Sequence, residues 1–97
     1  MNPPSPERLL LMQDLVTARK NARVSRAQVA RWAGVSRVTI GRMEQGGQAP
    51  SPRILRAYAE TCGLDTHQLM LSWGIVPDEI LVKLQQNPQL LALVLNF

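Results

Sequence analysis

The stretch Val24–Gln45, VSRAQVARWAGVSRVTIGRMEQ, constrains this chain more than any other. Ser25 is followed three residues later by Gln28, the spacing of a capping box. The serine oxygen accepts from a free N–H of the first turn, and the glutamine side chain reaches back to the cap N–H. Val24, just outside the cap, and Val29, inside it, can close as a hydrophobic staple. The device recurs at once, with Ser36 as the cap, Val35 outside it and Ile40 inside. Gly34 separates the two units. A helix that ends in a sharp turn needs a left-handed residue, and glycine adopts that conformation without a Cβ clash. The spacing predicts a helix over about 26–33, a stop at Gly34 and a second helix over about 37–45.

Two helices joined so tightly form a helix-turn-helix unit. The rest of the chain supplies its support. Ninety-seven residues make one hydrophobic core of short helices and leave no room for a second. Ser5-Pro6-Glu7 reads as a cap, a proline at the first helical position and an acid at the positive helix end. Leu9, Met12, Leu15, Val16 and Arg19 then recur at helical spacing, predicting a first helix over about 6–20. Helix two should turn Val29, Ala30 and Ala33 inward. Trp32 falls beside that stripe, with core packing favoured over an edge or a partner. On helix three Ile40 and Met43 face inward, and the direction of Val38 stays open. Ser51-Pro52 repeats the cap-plus-proline start, so a fourth helix covers about 52–62 with Ile54, Leu55, Tyr58, Ala59 and Cys62 on its apolar face. Gly63 ends it. Asp65 with Gln68 reads as another capping box, opening a fifth helix over about 66–73.

Charge is distributed unevenly. The formal net charge is +4, but between Thr17 and Arg56 nine basic residues face Glu44 alone, a local balance of +8. A basic patch that coincides with a helix-turn-helix unit is the electrostatic footprint of a nucleic-acid binder. One cysteine, Cys62, and one histidine, His67, cannot form a disulfide or a four-ligand zinc site. A reducing, cytoplasmic setting is the expectation, with no cofactor and no metal. The opening residues lack the basic segment of a signal peptide, and no apolar run reaches the roughly 20 residues of a membrane span. No Ser/His/Asp or Cys/His constellation and no phosphate-cradling glycine loop after a strand can be drawn, so enzymatic activity is not expected.

The segment SRAQVARWAGVSRVTIGRMEQG resembles the helix-turn-helix of Cro/repressor-type (XRE-type) regulators. Ser25, Val29, Ala30, Ala33, Gly34, Val35, Ser36, Ile40, Met43, Glu44 and Gly46 match that pattern, and Pro50, Ser51, Leu55, Ala59, Gly63 and Leu69 continue it. Two positions depart from it: Arg26 stands where a glutamine is usual, and Cys62 where a leucine is usual. The resemblance implies an all-α, five-helix lambda-repressor-like DNA-binding domain, here over about 1–74. It also implies an ion pair between Arg19 and Glu44, a surface arginine that touches nothing being the alternative. Arg23, Ser25, Ser36, Gln45, Gly46 and Gln48 are carried over as DNA-phosphate contacts, the two loop glycines offering free backbone N–H groups. A plain helix stop would account for those glycines as well. Residues near the start of a recognition helix lie closest to base edges, which nominates Arg37, Val38, Thr39 and Arg42, with Arg26 reaching either a base or a phosphate at the site edge. Arginine pairs twice with guanine, and Val38 or the Thr39 methyl can meet a thymine methyl; a G/C-containing half-site follows.

The tail reads differently. Pro77-Asp78-Glu79 and Asn87-Pro88 start two further helices, and the last, QLLALVLNF, is apolar on all sides. Such a helix is buried, in its own chain or in another. Ile80, Leu81, Leu84, Leu90, Leu91, Val94, Leu95 and Phe97 are the candidate contacts of a dimerisation element over 75–97; packing on the same domain, or a longer natural chain, stays open. The expected partner is double-stranded DNA, bound by a homodimeric repressor at a palindromic operator on the nucleoid. The alternative is a helix-turn-helix adaptor or antitoxin whose tail holds another protein.

Overall fold

The computed structural model describes the backbone of residues 6–95 and, within it, the side chains of all but residues 6, 7, 90, 91, 94 and 95. Phe97 lies outside the described residues. Among those described, the chain forms seven helices and no strand: α1 (Pro6–Asn21), α2 (Arg26–Ala33), α3 (Arg37–Glu44), α4 (Pro52–Cys62), α5 (Thr66–Ser72), α6 (Asp78–Gln85) and α7 (Pro88–Leu95). The helix starts are set by local chemistry. Ser25 Oγ accepts from the Gln28 N–H at 3.1 Å while Gln28 Oε1 accepts from the Ser25 N–H at 2.7 Å, a complete capping box. Ser36, Ser51 and Asp65 each cap α3, α4 and α5 with one side-chain acceptor. At Asp65 the return bond from the Gln68 side chain is not made, so only half of that box forms. α6 begins after Pro77 with no side-chain cap, and Asp78 and Glu79 offset its positive end instead.

The helix stops share one geometry. After α1, α2, α3 and α5 the chain closes with a pair of backbone bonds, six-to-one and five-to-two, such as Val35 N–H to Ala30 O at 3.0 Å and Gly34 N–H to Arg31 O at 3.3 Å. The residue that turns the chain has positive φ. It is Gly34 after α2, Gly46 after α3 and Gly74 after α5, but Arg23 (φ 57°) after α1. Arg23 is the non-glycine exception among the described residues. At Gly34 the angle of 72° is the constraint. A Cβ there would also meet Arg53 Nη2 at 2.7 Å, though that flexible end could move aside.

These turns fold the helices onto one core. α2 packs on α3 and α4, α1 on α3 and α4, and α5 on α4. Met12 and Leu15 of α1, Val29, Ala30 and Ala33 of α2, Ile40 and Met43 of α3, Leu55 and Tyr58 of α4 and Met70 of α5 are buried together. The alanines let α2 approach its neighbours closely. Val24, Val35 and Ile75, each following a turn residue, pack against this core from its rim. Two expectations fail here. Trp32 is 63% exposed, because the three inward positions of this eight-residue helix leave it to one side. Leu9 is exposed as well, so the buried stripe of α1 begins at Met12. Cys62 is half-buried at the edge of the core and His67 is exposed. Beyond Gly74, Ile75 reaches the core and Pro77 is buried, whereas α6 buries none of its residues and packs on α7.

Candidate nucleic-acid interface

Ile40 and Met43 have no exposed surface, and they fix the rotation of α3. Its outer face is therefore Arg37, Val38, Gly41, Arg42 and, just beyond the helix, Gln45. This face forms one wall of an open cleft of about 700 Å³. The end of α1 contributes Arg19 and Lys20, and the start of α2 contributes Ser25, Arg26 and Ala27. Five of the ten lining residues are basic and none is acidic. Val38, 61% exposed, puts an apolar group among them. Gly41 adds no side chain, and a Cβ built there would meet nothing within 4 Å, so the cleft is open along the helix. Glycine in the middle of an eight-residue helix costs about 1 kcal/mol relative to alanine, a cost that suits a surface meant for close approach.

Behind this wall lies a carboxylate hub. Glu44 Oε2 accepts from Arg19 Nε at 2.7 Å and from the Tyr58 hydroxyl at 2.6 Å. Its Oε1 accepts from Arg19 Nη2 at 2.9 Å and from Arg26 Nε at 2.8 Å. Arg19 Nη1 also donates to Val24 O at 3.0 Å, tying the turn after α1 to the same cluster. The Glu44 side chain is 1% exposed and that of Arg19 9%. Burial pushes the Glu44 carboxyl up, but hydrogen bonds from Arg19, Tyr58 and Arg26 outweigh it and hold the group below its ordinary value. Burial, and then the bond to Glu44, keeps the Tyr58 hydroxyl protonated far above the usual tyrosine range. The hydrogen bond to Glu44 raises Arg19 against the opposing effect of burial. The cluster joins α1, α2, α3 and α4 through one buried acid.

The positions nominated from the sequence fall into distinct places. Arg26, Arg37, Val38 and Arg42 line the cleft together, with Ser25 and Gln45 at its edges. Thr39 does not line it: its hydroxyl lies 2.9 Å from Ser36 Oγ and its N–H donates to the same oxygen, so both residues serve the cap of α3. Arg23 is exposed in the turn after α1. Gln48 opens on a neighbouring depression lined by Arg42, Gln45 and Gly47. The loop glycines correct an expectation. Gly46 is buried and its N–H donates to Met43 O at 2.9 Å, while the Gly47 N–H donates to Arg42 O at 2.9 Å. Both amides close the end of α3 and are not free for a phosphate. Ile80, Leu81 and Leu84 are half-buried, and Val82 and Leu93 are exposed.

Two contributors were not foreseen. Lys20 lines the cleft from α1. Arg8 Nη2 donates to Gly46 O at 3.1 Å and pins the loop after α3. Arg26, expected only at the site edge, is also bound to Glu44. Its departure from the usual glutamine was the signal, but the partner lies 18 residues away and no local pattern reveals it.

Fold and cleft together define an all-α helix-turn-helix, DNA-binding class of protein. A helix-turn-helix domain family model matches residues 13–70, more than half of the chain, and the chain belongs to that family. Comparison with curated proteins and with solved structures returned no match. Among the described residues no helix is long and apolar enough to cross a membrane, and no cluster of His, Cys, Asp or Glu is arranged to hold a metal.

Proposed function

We propose that this chain is a Cro/repressor-type regulator that binds duplex DNA at a specific sequence, with α3 in the major groove. The observation that carries the reading is the cleft on the outer face of α3, lined by five basic residues and one exposed valine, of which Arg19 and Arg26 share Glu44 behind the wall and Lys20, Arg37 and Arg42 do not. Arg37 and Arg42 supply forks for guanine edges and Val38 an apolar contact for a thymine methyl. Ser25, Ser36, Gln45, Gln48 and the exposed Arg23 set the register on phosphates. Gly46 acts there by shaping the loop. The protein has no catalytic role in this reading, works in the cytoplasm on the nucleoid, and represses by occupying its operator.

One recognition helix reads few bases, and such domains act in pairs on inverted half-sites. Residues 75–97 form the pairing element, with Ile75 at its start seated on the core of the preceding helices. What supports this is that α6 buries none of its residues, while Val82 and Leu93 stand exposed on the two packed helices. Selection from a pool of random duplexes tests the whole reading. It should enrich an inverted repeat with half-site centres about one helical turn apart. A single enriched half-site would remove the dimer. No enrichment at low salt would overturn the DNA reading and favour the adaptor or antitoxin alternative, with the tail holding a different protein.

A further inference from the structure

We propose that Arg26 reads a guanine edge and that Glu44 is its positioning residue, an inference that rests on the duplex-DNA reading above. Arg26 is the first residue of α2, directly after the Ser25 capping box, so its backbone is held by the box. Its Nε donates to Glu44 Oε1 at 2.8 Å. Glu44 is itself immobilised, because Arg19 and the Tyr58 hydroxyl bind it from inside the core. The Arg26 side chain nonetheless remains 46% exposed and lines the same cleft as Arg37, Val38 and Arg42. A guanidinium anchored through Nε still carries two Nη groups, a planar fork of donors.

The anchor discriminates between the two acceptors that DNA offers. A phosphate contact draws on charge, and a carboxylate shared by two arginines offsets part of that charge. A base contact draws on a fixed in-plane fork aimed at O6 and N7 of guanine, and a rigid carboxylate supplies that fixity before DNA arrives. An arginine meant for phosphate alone would be better placed away from Glu44. Ordering the side chain in advance also lowers the entropy lost on binding.

The test uses the full chain and the duplex that the wild-type chain selects, together with duplexes changed one base pair at a time. Arg26→Lys keeps the charge but has no Nε anchor and no fork, and Arg26→Ala removes both. Glu44 keeps its Arg19 and Tyr58 bonds in either variant, so both should fold, as a thermal melt checks. Both should lose about 5- to 150-fold in affinity, lose discrimination at one G·C pair only, and keep the wild-type slope of log affinity against log salt. In wild type the Arg26 Nε–H resonance should keep its Glu44-bonded shift in the free chain and in the complex. Arg26→Lys binding like wild type overturns the inference. So does a uniform loss by Arg26→Ala over all duplexes with a salt slope smaller by about 0.9, the mark of one phosphate contact. Loss of the Nε–H shift on binding removes the role of Glu44. If the wild-type chain selects no duplex, the parent reading falls as well; if it selects one indifferent to Arg26, only this inference falls.

Discussion

Glu44→Ala removes the buried acid that joins α1, α2, α3 and α4. The carboxylate is 1% exposed and accepts four hydrogen bonds. Its removal strands the Arg19 guanidinium, whose side chain is 9% exposed, with Val24 O as its remaining acceptor in this cluster. It also strands the Tyr58 hydroxyl, which has no exposed surface. Breaking one side of a buried ion pair costs about 3–5 kcal/mol. An unsatisfied buried hydroxyl costs about 1–3 kcal/mol. The two costs overlap, because one carboxylate serves both donors and water can enter the space it leaves. Arg26 adds little, since its exposed end rehydrates. The expected loss is therefore about 3–5 kcal/mol, a large part of the roughly 5–15 kcal/mol of a whole domain. Urea unfolding followed by circular dichroism should show a lower midpoint at an unchanged slope. Replacing the cluster together, as Arg19→Met with Glu44→Leu and Tyr58→Phe, should recover part of the loss. A loss below about 1 kcal/mol for Glu44→Ala would refute the argument, because the pair would then behave as a surface ion pair.

The same cluster sets the response to pH. The folded-state value of Glu44 lies below its ordinary 4.5, so its contribution is complete above that pH and fades as the pH falls through the lower folded value; Glu44→Gln should lack this part of the acid slope in a melt series. Tyr58 is raised, so stability should fall as the pH climbs above about 10, and Tyr58→Phe should not show that fall. Arg23→Gly should raise the unfolding free energy from urea melts by about 0.5–1 kcal/mol, since it relieves a left-handed arginine. It should also weaken duplex binding and lower the salt slope by about 0.9; unchanged binding would show that Arg23 touches no phosphate. Truncation after Gly74 should give a monomer in sedimentation, and a truncated chain that still dimerises would contradict the role given to residues 75–97.

The elements of the fold were legible because their ends are written locally. Ser25 with Gln28, Ser36, Ser51-Pro52 and the glycines after α2, α4 and α5 act within a few residues of one another, so spacing alone locates the helix boundaries. Which side chains meet across the core was less so. Glu44 meets Arg19 from 25 residues away, a pairing that only the family resemblance suggested, and the contact from Arg26 had no counterpart in that pattern. Trp32 was misplaced because a two-turn helix offers too few inward positions for periodicity to decide. The amides of Gly46 and Gly47 were misjudged for another reason: the end of α3 has its own carbonyls to satisfy, and these claim the donors first. The outer face of α3 was legible in its arginines, because Arg37 and Arg42 fall opposite Ile40 and Met43 by helical spacing. Its cleft was not, because Lys20 of α1 and Ala27 of α2 join it only through tertiary packing.

The most direct test of the central claim is a map of backbone amide shifts as a duplex carrying the selected sequence is titrated into the isotope-labelled chain. Shift changes should concentrate at the start of α2 and along α3, at Ser25, Arg26, Arg37, Val38, Gly41, Arg42 and Gln45, and added salt should reverse them. Changes confined to α6 and α7, or none at low ionic strength, would contradict the claim.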